Sequence, residues 1–272
     1  MGVQSFDDDL LKLNGRMHLG QDILRACELI QEAGFGCVNL DLMTGLIGET
    51  VEQWKHSVER VIELGPDSVT IYQTEIPYNT QLYRDVKSNR LPSPLISWEV
   101  KRERMDYAFQ KLTEAGYTIV NGYSAVKNPK RNRFIYQDHL WRGGDMIGMG
   151  VASFSYFGGV HYQNAVELDS YQSLVRQDEL PVKRAFLLNT HDQLVREFIL
   201  QLKGGEVSVK DFREKFSGDI TQLFSQQLGE LASEGLLTFP KSSVQLTRAG
   251  LLRVDGLSPW FYDAAYRDLR YT

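Results

Sequence analysis

Residues 35–50 read Phe35-Gly-Cys-Val-Asn-Leu-Asp-Leu-Met-Thr-Gly-Leu-Ile-Gly-Glu-Thr50, and this stretch decides the fold class. Side chains in a strand point alternately to its two faces. The alternation here gives one apolar face, with Val38, Leu40 and Leu42. The opposite face is more polar and carries Cys37, Asn39 and Asp41. The stretch therefore predicts a strand that runs into a glycine-rich loop and then into a helix.

The loop and the start of the helix carry their own signals. Gly45 and Gly48 let the backbone bend and approach a ligand closely. Thr50 followed by Gln53 predicts a capping box at the start of the helix. In a barrel of parallel strands, polar side chains at the carboxyl ends of the strands point into the site, so we expect Asp41 to be a site residue. The alternative is that Asp41 only caps a loop or forms a salt bridge there.

Helical and strand patterns alternate on either side of this stretch. Helices are predicted over 20–33, 51–64 and 98–115, and strands over 68–72 and 117–123. Residues 78–97 are expected to be irregular. The alternation predicts parallel strands and an α/β fold.

The composition is that of an ordinary soluble globular protein, with 272 residues, of which 42% are hydrophobic and 24% charged. A formal net charge of -5 argues against a nucleic-acid surface over the whole molecule but leaves a local basic patch open. Neither a signal peptide nor an apolar run of about 18 residues is present, so we predict no membrane span and a cytoplasmic location. The two cysteines, Cys27 and Cys37, do not have the spacing of a metal site, and we assign no metal ligands.

Two further stretches are candidates for contact with a ligand. The loop over 127–133 places four cations next to Phe134 and Tyr136, a pattern that suits an anionic ligand or, alternatively, a solvated turn. Residues 143–159 are too rich in glycine for a continuous helix, and we expect a tight backbone crossing near a site there.

The character of the sequence changes near residue 165, from which polar helices follow over 168–177, 190–203, 208–216 and 219–234. Two short β runs over 236–239 and 244–247 complete the outline of a winged helix. We therefore predict two domains, 1–164 and 165–272. The helix that would read DNA contains no Lys or Arg over 221–234, so we predict no nucleic-acid partner.

Several blocks together resemble the oxygen-independent coproporphyrinogen III oxidases and their radical SAM relatives. These blocks are Gly2-Val-Gln-Ser-Phe6, Gly15-Arg-Met-His18, the stretch from Asn39 to Thr50, Gly150-Val-Ala-Ser-Phe154, Glu179-Leu-Pro181 and Gln245-Leu-Thr247. The resemblance implies a partial (β/α) radical SAM-type barrel followed by a mainly helical, winged-helix-like C-terminal domain.

The resemblance also implies a cofactor site. Gln4, Arg16 and Asp41 match family positions that hold S-adenosylmethionine, and Met43 and Glu75 match positions that cradle its adenosine. Arg16 is suited to a bidentate pair with the methionyl carboxylate, and Gln4 and Asp41 to hydrogen bonds with ribose hydroxyls or the amino group. Five further cations are candidates for substrate carboxylates: Arg102, Arg104, Lys127, Arg131 and Arg133.

The sequence departs from the family in one respect. The family holds a [4Fe–4S] cluster with a Cys-x-x-x-Cys-x-x-Cys loop, which this sequence does not contain. We therefore expect the chain to be the C-terminal portion of a longer protein, with the cluster present in the full-length protein only. No catalytic residue is assigned, and enzyme activity of this chain alone stays open.

Three functional hypotheses follow. In the first, the full-length protein uses a radical from S-adenosylmethionine, and an electron donor for its cluster, to decarboxylate tetrapyrrole propionates oxidatively in anaerobic haem biosynthesis. A radical SAM methyltransferase is a variant of this chemistry. In the second, the protein is a haem-binding or haem-delivery relative without oxidase activity. The third is an unrelated α/β enzyme.

Overall fold

The computed structural model describes residues 1–76, 80–88, 90 and 95–266. Within these residues the chain forms two compact units. Unit 1 contains Met1–Asn132 and Leu251–Arg253, and unit 2 contains Arg133–Gly250 and residues 254–266. The division does not coincide with the change in composition near residue 165, because strands on both sides of that residue pair with each other in unit 2. The boundary between domains 1–164 and 165–272 stays a prediction.

Unit 1 is a layer of helices on a five-stranded mixed sheet. Its elements are β1 (Gly2–Gln4), α1 (Asp8–Leu13), α2 (Gly20–Glu32), β2 (Asn39–Thr44), α3 (Val51–Leu64), β3 (Ser68–Gln73), α4 (Gln81–Lys87), α5 (Trp98–Glu114), β4 (Thr118–Ile119) and β5 (Ser124–Val126). The strand order is β1-β2-β3-β5-β4, with β1, β2 and β3 parallel. In the described part of the chain the sheet is open, so the α/β class and the partial barrel are confirmed.

The alternation along β2 is confirmed and explains how the unit is held together. Leu40 and Leu42 are buried, as are Val69 and Ile71 on the same face of β3. The buried side chains of this core on α3 and α5 are Trp54, Val58, Val61, Met105, Phe109 and Leu112. Burial of a large apolar side chain stabilises a fold by about 1.5–3 kcal/mol, so this face fixes β2 and β3 against the helices.

The predicted start of α3 is confirmed in atomic detail. The Thr50 hydroxyl accepts from the Gln53 N–H at 3.2 Å, and the Gln53 side chain accepts from the Thr50 N–H at 2.9 Å. At the other end, Gly65 closes the helix with φ 63, a left-handed conformation that favours glycine. Local sequence therefore sets both ends of this helix.

Two expectations for unit 1 are wrong. The region predicted as one strand over 117–123 is a hairpin, and β5 pairs antiparallel with both β3 and β4. The reversal follows from a turn in which the Asn121 side chain accepts from the N–H groups of Tyr123 and Ser124, both at 2.8 Å. The stretch expected to be irregular contains α4, whose first turn is capped by Thr80. Residues 78, 79, 89 and 91–94 of this stretch lie outside the described residues.

Unit 2 contains helices and two small antiparallel sheets. Its elements up to residue 203 are α6 (Ile135–Trp141), β6 (Phe154–Phe157), β7 (Val160–Asn164), α7 (Leu168–Arg176), β8 (Val182–Leu187) and α8 (Thr190–Lys203). The later elements are β9 (Glu206–Ser208), α9 (Val209–Phe216), α10 (Ile220–Leu223), α11 (Ser225–Ser233), β10 (Leu237–Thr238), β11 (Ser243–Leu246), α12 (Arg248–Leu251), α13 (Val254–Leu257) and a 3₁₀ turn (Ser258–Phe261). The strand orders are β6-β7-β8 and β10-β11-β9.

The second sheet and its helices confirm the winged-helix-like outline. The helix predicted over 219–234 is instead two helices, because the chain turns at Phe224 with φ -107. Within 143–159 the backbone makes the expected close approach at Gly148, where a Cβ would lie 2.2 Å from the carbonyl oxygen of Phe154. That a site lies near this crossing stays a prediction. Within the described ranges, no helix combines the length and the apolar character that a membrane crossing requires.

Candidate functional site at the edge of the parallel strands

The candidate site lies along the polar face of β1, β2 and β3. Parallel neighbours in register point their side chains to the same face. Asn39, Asp41 and Met43 of β2 are in register with Ser68, Thr70 and Tyr72 of β3. On β1, Gly2 is in register with Asp41. The sheet therefore gathers polar side chains of β2 and β3 on the face opposite the core, with the backbone of Gly2 beside Asp41.

Asp41 lies inside β2 and is held by a neighbour on the same strand. Its Oδ1 accepts a hydrogen bond from Asn39 Nδ2 at 2.7 Å. Burial raises the pKa of the Asp41 carboxyl, and the positive Met1 amino group and the Asn39 hydrogen bond act in the opposite direction. Among the described residues, Asp41 forms neither a loop cap nor a salt bridge, and its hydrogen-bond partner is Asn39. Its contact with a cofactor stays a prediction.

Gln4 and Arg16 present polar atoms that the described chain does not satisfy. Gln4 has a left-handed backbone, with φ 68, and its side-chain Oε1 is buried without a hydrogen-bond partner. Arg16 donates from Nη2 to the sulfur of Met43 at 3.2 Å, while its Nε is buried without a partner. A buried polar atom without a partner costs about 1–3 kcal/mol, so such atoms mark places where a ligand can supply the missing bond.

The structure thus brings Arg16 to Met43, and places Asp41 and Met43 on one face of β2. Glu75 follows the end of β3 and is exposed. Beside it lies a cation that the sequence reasoning missed. Lys101 is buried, its Nζ donates to Thr74 O at 2.6 Å, and burial lowers its pKa while Glu75 raises it. A further missed residue at this edge is Gln73, whose Oε1 is buried and unpaired.

The loop after β2 is fixed by a buried carboxylate. Glu49 Oε2 accepts from the Gly45 N–H at 2.8 Å and from the Thr44 hydroxyl at 3.3 Å. It also forms an ion pair with Arg104 Nη1, and Arg104 Nη2 donates to the Glu49 carbonyl at 2.9 Å. Gly45 has φ 89, and a Cβ there would lie 2.7 Å from Lys101 Cε. This loop requires a glycine for two separate reasons.

The five cations proposed for substrate carboxylates lie on different elements. Arg104 is 6% exposed and paired with Glu49, so it acts within the fold. Lys127 donates to the carbonyl of Gly65 at the end of α3. Arg133, which lies in unit 2, forms two hydrogen bonds with Asp138 at 3.0 and 2.7 Å. Arg102 is half-buried on α5, and Arg131 is exposed in a turn. Their role in substrate binding stays a prediction.

Comparisons with known proteins identify relatives of this chain. The family model described as the radical SAM superfamily matches residues 1–61, and the model described as the HemN C-terminal domain matches residues 188–253. The heme chaperone HemW of Bacillus subtilis is 31% identical over 92% of this chain and 65% of its own length. The oxygen-independent coproporphyrinogen III oxidase of Pseudomonas aeruginosa is 25% identical over 96% of this chain and 59% of its own length.

A solved structure has the same fold. The coproporphyrinogen III oxidase HemN of Escherichia coli superposes with a TM-score of 0.77 and 24% identity, over 96% of this chain and 63% of that chain. The chain spans less than two thirds of the length of these relatives. The chain is homologous to the oxygen-independent coproporphyrinogen III oxidases and to HemW, and it contains matches to the radical SAM superfamily and to the HemN C-terminal domain.

Proposed function

We propose that the polar edge of β1, β2 and β3 is the part of an S-adenosylmethionine site that this chain contributes to a radical SAM protein with a tetrapyrrole ligand. The observation that carries the proposal is the pair of buried, unpaired atoms on Gln4 and Arg16. Arg16 contacts Met43, and Gln4 is in register with Leu42, the residue between Asp41 and Met43. An amide oxygen, a guanidinium and a carboxylate suit an amino group, a methionyl carboxylate and ribose hydroxyls, respectively.

The chain's own residues fit S-adenosylmethionine but not an iron–sulfur cluster. The two cysteines of the sequence are too few for the three-cysteine loop of the family. Cys27 is half-buried on α2 and Cys37 is exposed. We therefore derive no step through a cluster. When bound in a radical SAM protein, S-adenosylmethionine supplies a carbon radical that abstracts a hydrogen atom, and the protein orients it and excludes water.

Three candidate activities are compatible with a chain of this kind. The first is the oxidative decarboxylation of tetrapyrrole propionates, which also requires an electron donor in the full-length protein. The second is haem binding or delivery without this reaction, and the 31% identity with a heme chaperone favours it over the first. A radical SAM methyltransferase is a third use of the same cofactor.

The cofactor site is tested by the affinity of the chain for S-adenosylmethionine, measured by calorimetry beside a thermal melt. Gln4→Ala, Arg16→Ala and Asp41→Ala each remove one polar partner. Loss of a hydrogen bond to a charged group costs about 1.5–3 kcal/mol, so we expect about 10- to 150-fold weaker binding for the two charged residues. Arg16→Lys keeps the charge but loses the planar fork, and we expect a smaller loss.

Matched controls are available in the same unit. Arg25→Ala removes an exposed arginine on α2, and Asp9→Ala removes an aspartate whose side chain is 97% exposed. Both should leave the affinity unchanged. Equal affinities for all variants would contradict the proposed site, and a collapsed melting temperature with unchanged affinity would show that Arg16 and Asp41 are structural.

The two activities are separated by a second measurement on the full-length protein. A haem titration followed by absorbance, without S-adenosylmethionine, should give saturable binding for a haem-binding protein. Conversion of coproporphyrinogen III with release of carbon dioxide under anaerobic reducing conditions would identify an oxidase instead.

A further inference from the structure

We infer that Asn39 is a positioning residue for Asp41, with one end of its amide holding the carboxylate and the other end fixed by two hydroxyl groups of β3. The inference rests on the proposed function in so far as it assigns Asp41 to a cofactor. The family resemblance assigns no cofactor contact to Asn39. Its role follows from hydrogen bonds that connect β2, β3 and β5.

The orientation of the Asn39 amide is determined by its partners. Nδ2 donates to Asp41 Oδ1 at 2.7 Å, while Oδ1 accepts from the hydroxyls of Ser68 at 2.7 Å and Thr70 at 3.0 Å. A flipped amide would place the Asn39 carbonyl oxygen against the Asp41 carboxylate. When Asp41 is ionised, neither group can donate, so no hydrogen bond would form between them. The network therefore selects one orientation.

The donors form a directed row across the sheet. The Thr70 hydroxyl donates its one hydrogen to Asn39 Oδ1. It can therefore only accept in its 3.2 Å contact with the Ser124 hydroxyl, so Ser124 is the donor there. The row then runs from Ser124 on β5 through Thr70 on β3 and Asn39 on β2 to Asp41. Each hydrogen bond polarises the next, and all of them favour a negative charge at the end of the row.

This arrangement leaves one carboxylate oxygen for a ligand. Asn39 holds Oδ1, and within the described chain Asp41 Oδ2 accepts no hydrogen bond. A carboxylate anchored at one oxygen presents the other in a fixed direction, which suits acceptance from a ribose hydroxyl or an ammonium group.

The charges around Asp41 make the Asn39 donor important. Burial raises the pKa of Asp41 and so favours the neutral acid, which would bind a ligand hydroxyl less well. The positive Met1 amino group opposes this, and Tyr72 faces Asp41 from β3. Arg16 contacts Met43 on the same face of β2. Removing the Asn39 donor removes a contact that stabilises the ionised form.

The test uses three variants and two measurements on the full chain. Asn39→Leu removes both the donor and the acceptor of the amide and keeps a side chain of similar size. Thr70→Val removes only the hydroxyl that donates to Asn39 Oδ1. Thr118→Val is the matched control, since Thr118 is an exposed strand residue in the same unit. The measurements are the titration of the Asp41 carboxyl by carbon-detected NMR and the dissociation constant for S-adenosylmethionine by calorimetry.

We expect Asn39→Leu to raise the pKa of Asp41 and to weaken S-adenosylmethionine binding by about 10-fold or more. Thr70→Val should change both quantities in the same direction, with a loss of affinity of about 2- to 5-fold. Thr118→Val should change neither. If Asn39→Leu does not fold, the Thr70→Val result decides the inference.

The outcomes separate the two proposals. An unchanged Asp41 titration in the Asn39 and Thr70 variants overturns the positioning role, whether or not the chain binds the cofactor. A raised Asp41 pKa in a chain that does not bind S-adenosylmethionine supports the positioning role and overturns the proposed cofactor site. Normal affinity together with a raised pKa shows that Asn39 sets the charge of Asp41 but not its position.

Discussion

The strand edge in unit 1 and the interior of unit 2 are built from opposite kinds of residues. At the strand edge, the partly buried side chains of Asn39 and Asp41 hydrogen-bond each other on the polar face of β2. In unit 2, aromatic rings meet around Phe198, with centroids 4.7 Å from Phe224, 4.9 Å from Phe261 and 6.2 Å from Phe212. The edge arranges donors and acceptors, while the aromatic cluster of Phe198, Phe212, Phe224 and Phe261 removes apolar area from water.

Unpaired polar atoms follow the same division. Of the six buried side-chain nitrogen and oxygen atoms without a partner in the described chain, five lie in unit 1, on Gln4, Arg16, Gln73, Arg104 and Asn132. The sixth, Arg196 Nη1, belongs to a guanidinium stacked 3.7 Å from the Tyr156 ring. Atoms of this kind lower stability, and in the proposed cofactor site a bound ligand would offset that cost at Gln4 and Arg16.

The largest expected effect on stability comes from a change in the aromatic cluster of unit 2. Phe198 is completely buried at the centre of the aromatic cluster, and Phe198→Ala should lower the free energy of unfolding by about 3–5 kcal/mol. Its effect on S-adenosylmethionine affinity should be small, because no residue of the strand edge is changed. Urea denaturation followed by circular dichroism measures the first quantity, and calorimetry the second.

Phe239→Ala is the matched control, because Phe239 is 49% exposed. It should change the free energy of unfolding by less than about 1 kcal/mol. Equal losses for the two variants would show that the aromatic cluster does not stabilise unit 2 as described.

The next effect concerns the buried ion pair beneath the loop of unit 1. Arg104→Met leaves the Glu49 carboxylate buried without its cation and should lower the free energy of unfolding by about 3 kcal/mol. The loss stays at the lower end of the range for buried pairs because Gly45 and Thr44 still donate to Glu49. The double variant Glu49→Gln/Arg104→Met should recover part of the stability in the same denaturation experiment. A double variant no more stable than Arg104→Met would contradict this account.

A smaller effect separates backbone strain from close packing. Gly45→Ala places a Cβ at φ 89 and within 2.7 Å of Lys101, whereas Gly34→Ala places one at φ 68 in open space. A left-handed backbone costs an alanine about 1–2 kcal/mol, so both variants should be destabilised and Gly45→Ala more so. Thermal and urea denaturation of the pair measure the difference. Identical losses would show that Lys101 moves aside freely.

The smallest effect is a pH dependence in unit 2. Asp219 accepts from the Thr221 hydroxyl at 2.6 Å and from its N–H at 2.9 Å, and it pairs with Arg213, which together lower its pKa to about 2. Because the pKa is lower in the folded state, the stabilisation is complete above the unfolded value of about 3.9 and is lost as the pH falls towards about 2.

Asp219→Asn should therefore flatten the fall in stability between about pH 4 and pH 2, and Asp9→Asn, at an exposed position, should not. Denaturation at a series of pH values measures both. The effect is small because Arg213 is exposed and water screens the pair. The same acid dependence in wild type and Asp219→Asn would contradict it.

Much of the local structure could be predicted because it depends on short-range patterns. The two faces of β2, the capping box at Thr50 and the glycine end of α3 at Gly65 need only neighbouring residues. The winged-helix-like outline follows from helix periods and short β runs. In contrast, β8 was missed because Val182 to Leu187 shows no alternation, and the structure exposes every residue of this edge strand.

The sequence by itself determined the α/β class, the family and Asp41 as a site candidate, because alternation, turns and motif spacing are properties of contiguous residues. Only the tertiary structure decided which distant groups meet. Arg104 pairs with Glu49 across 55 positions, and the Thr70 hydroxyl meets that of Ser124 across 54. The antiparallel return of β5 also depends on a turn whose direction the β pattern does not contain. Such contacts are set by how helices and strands pack, and alternation within one strand carries no information about its partner.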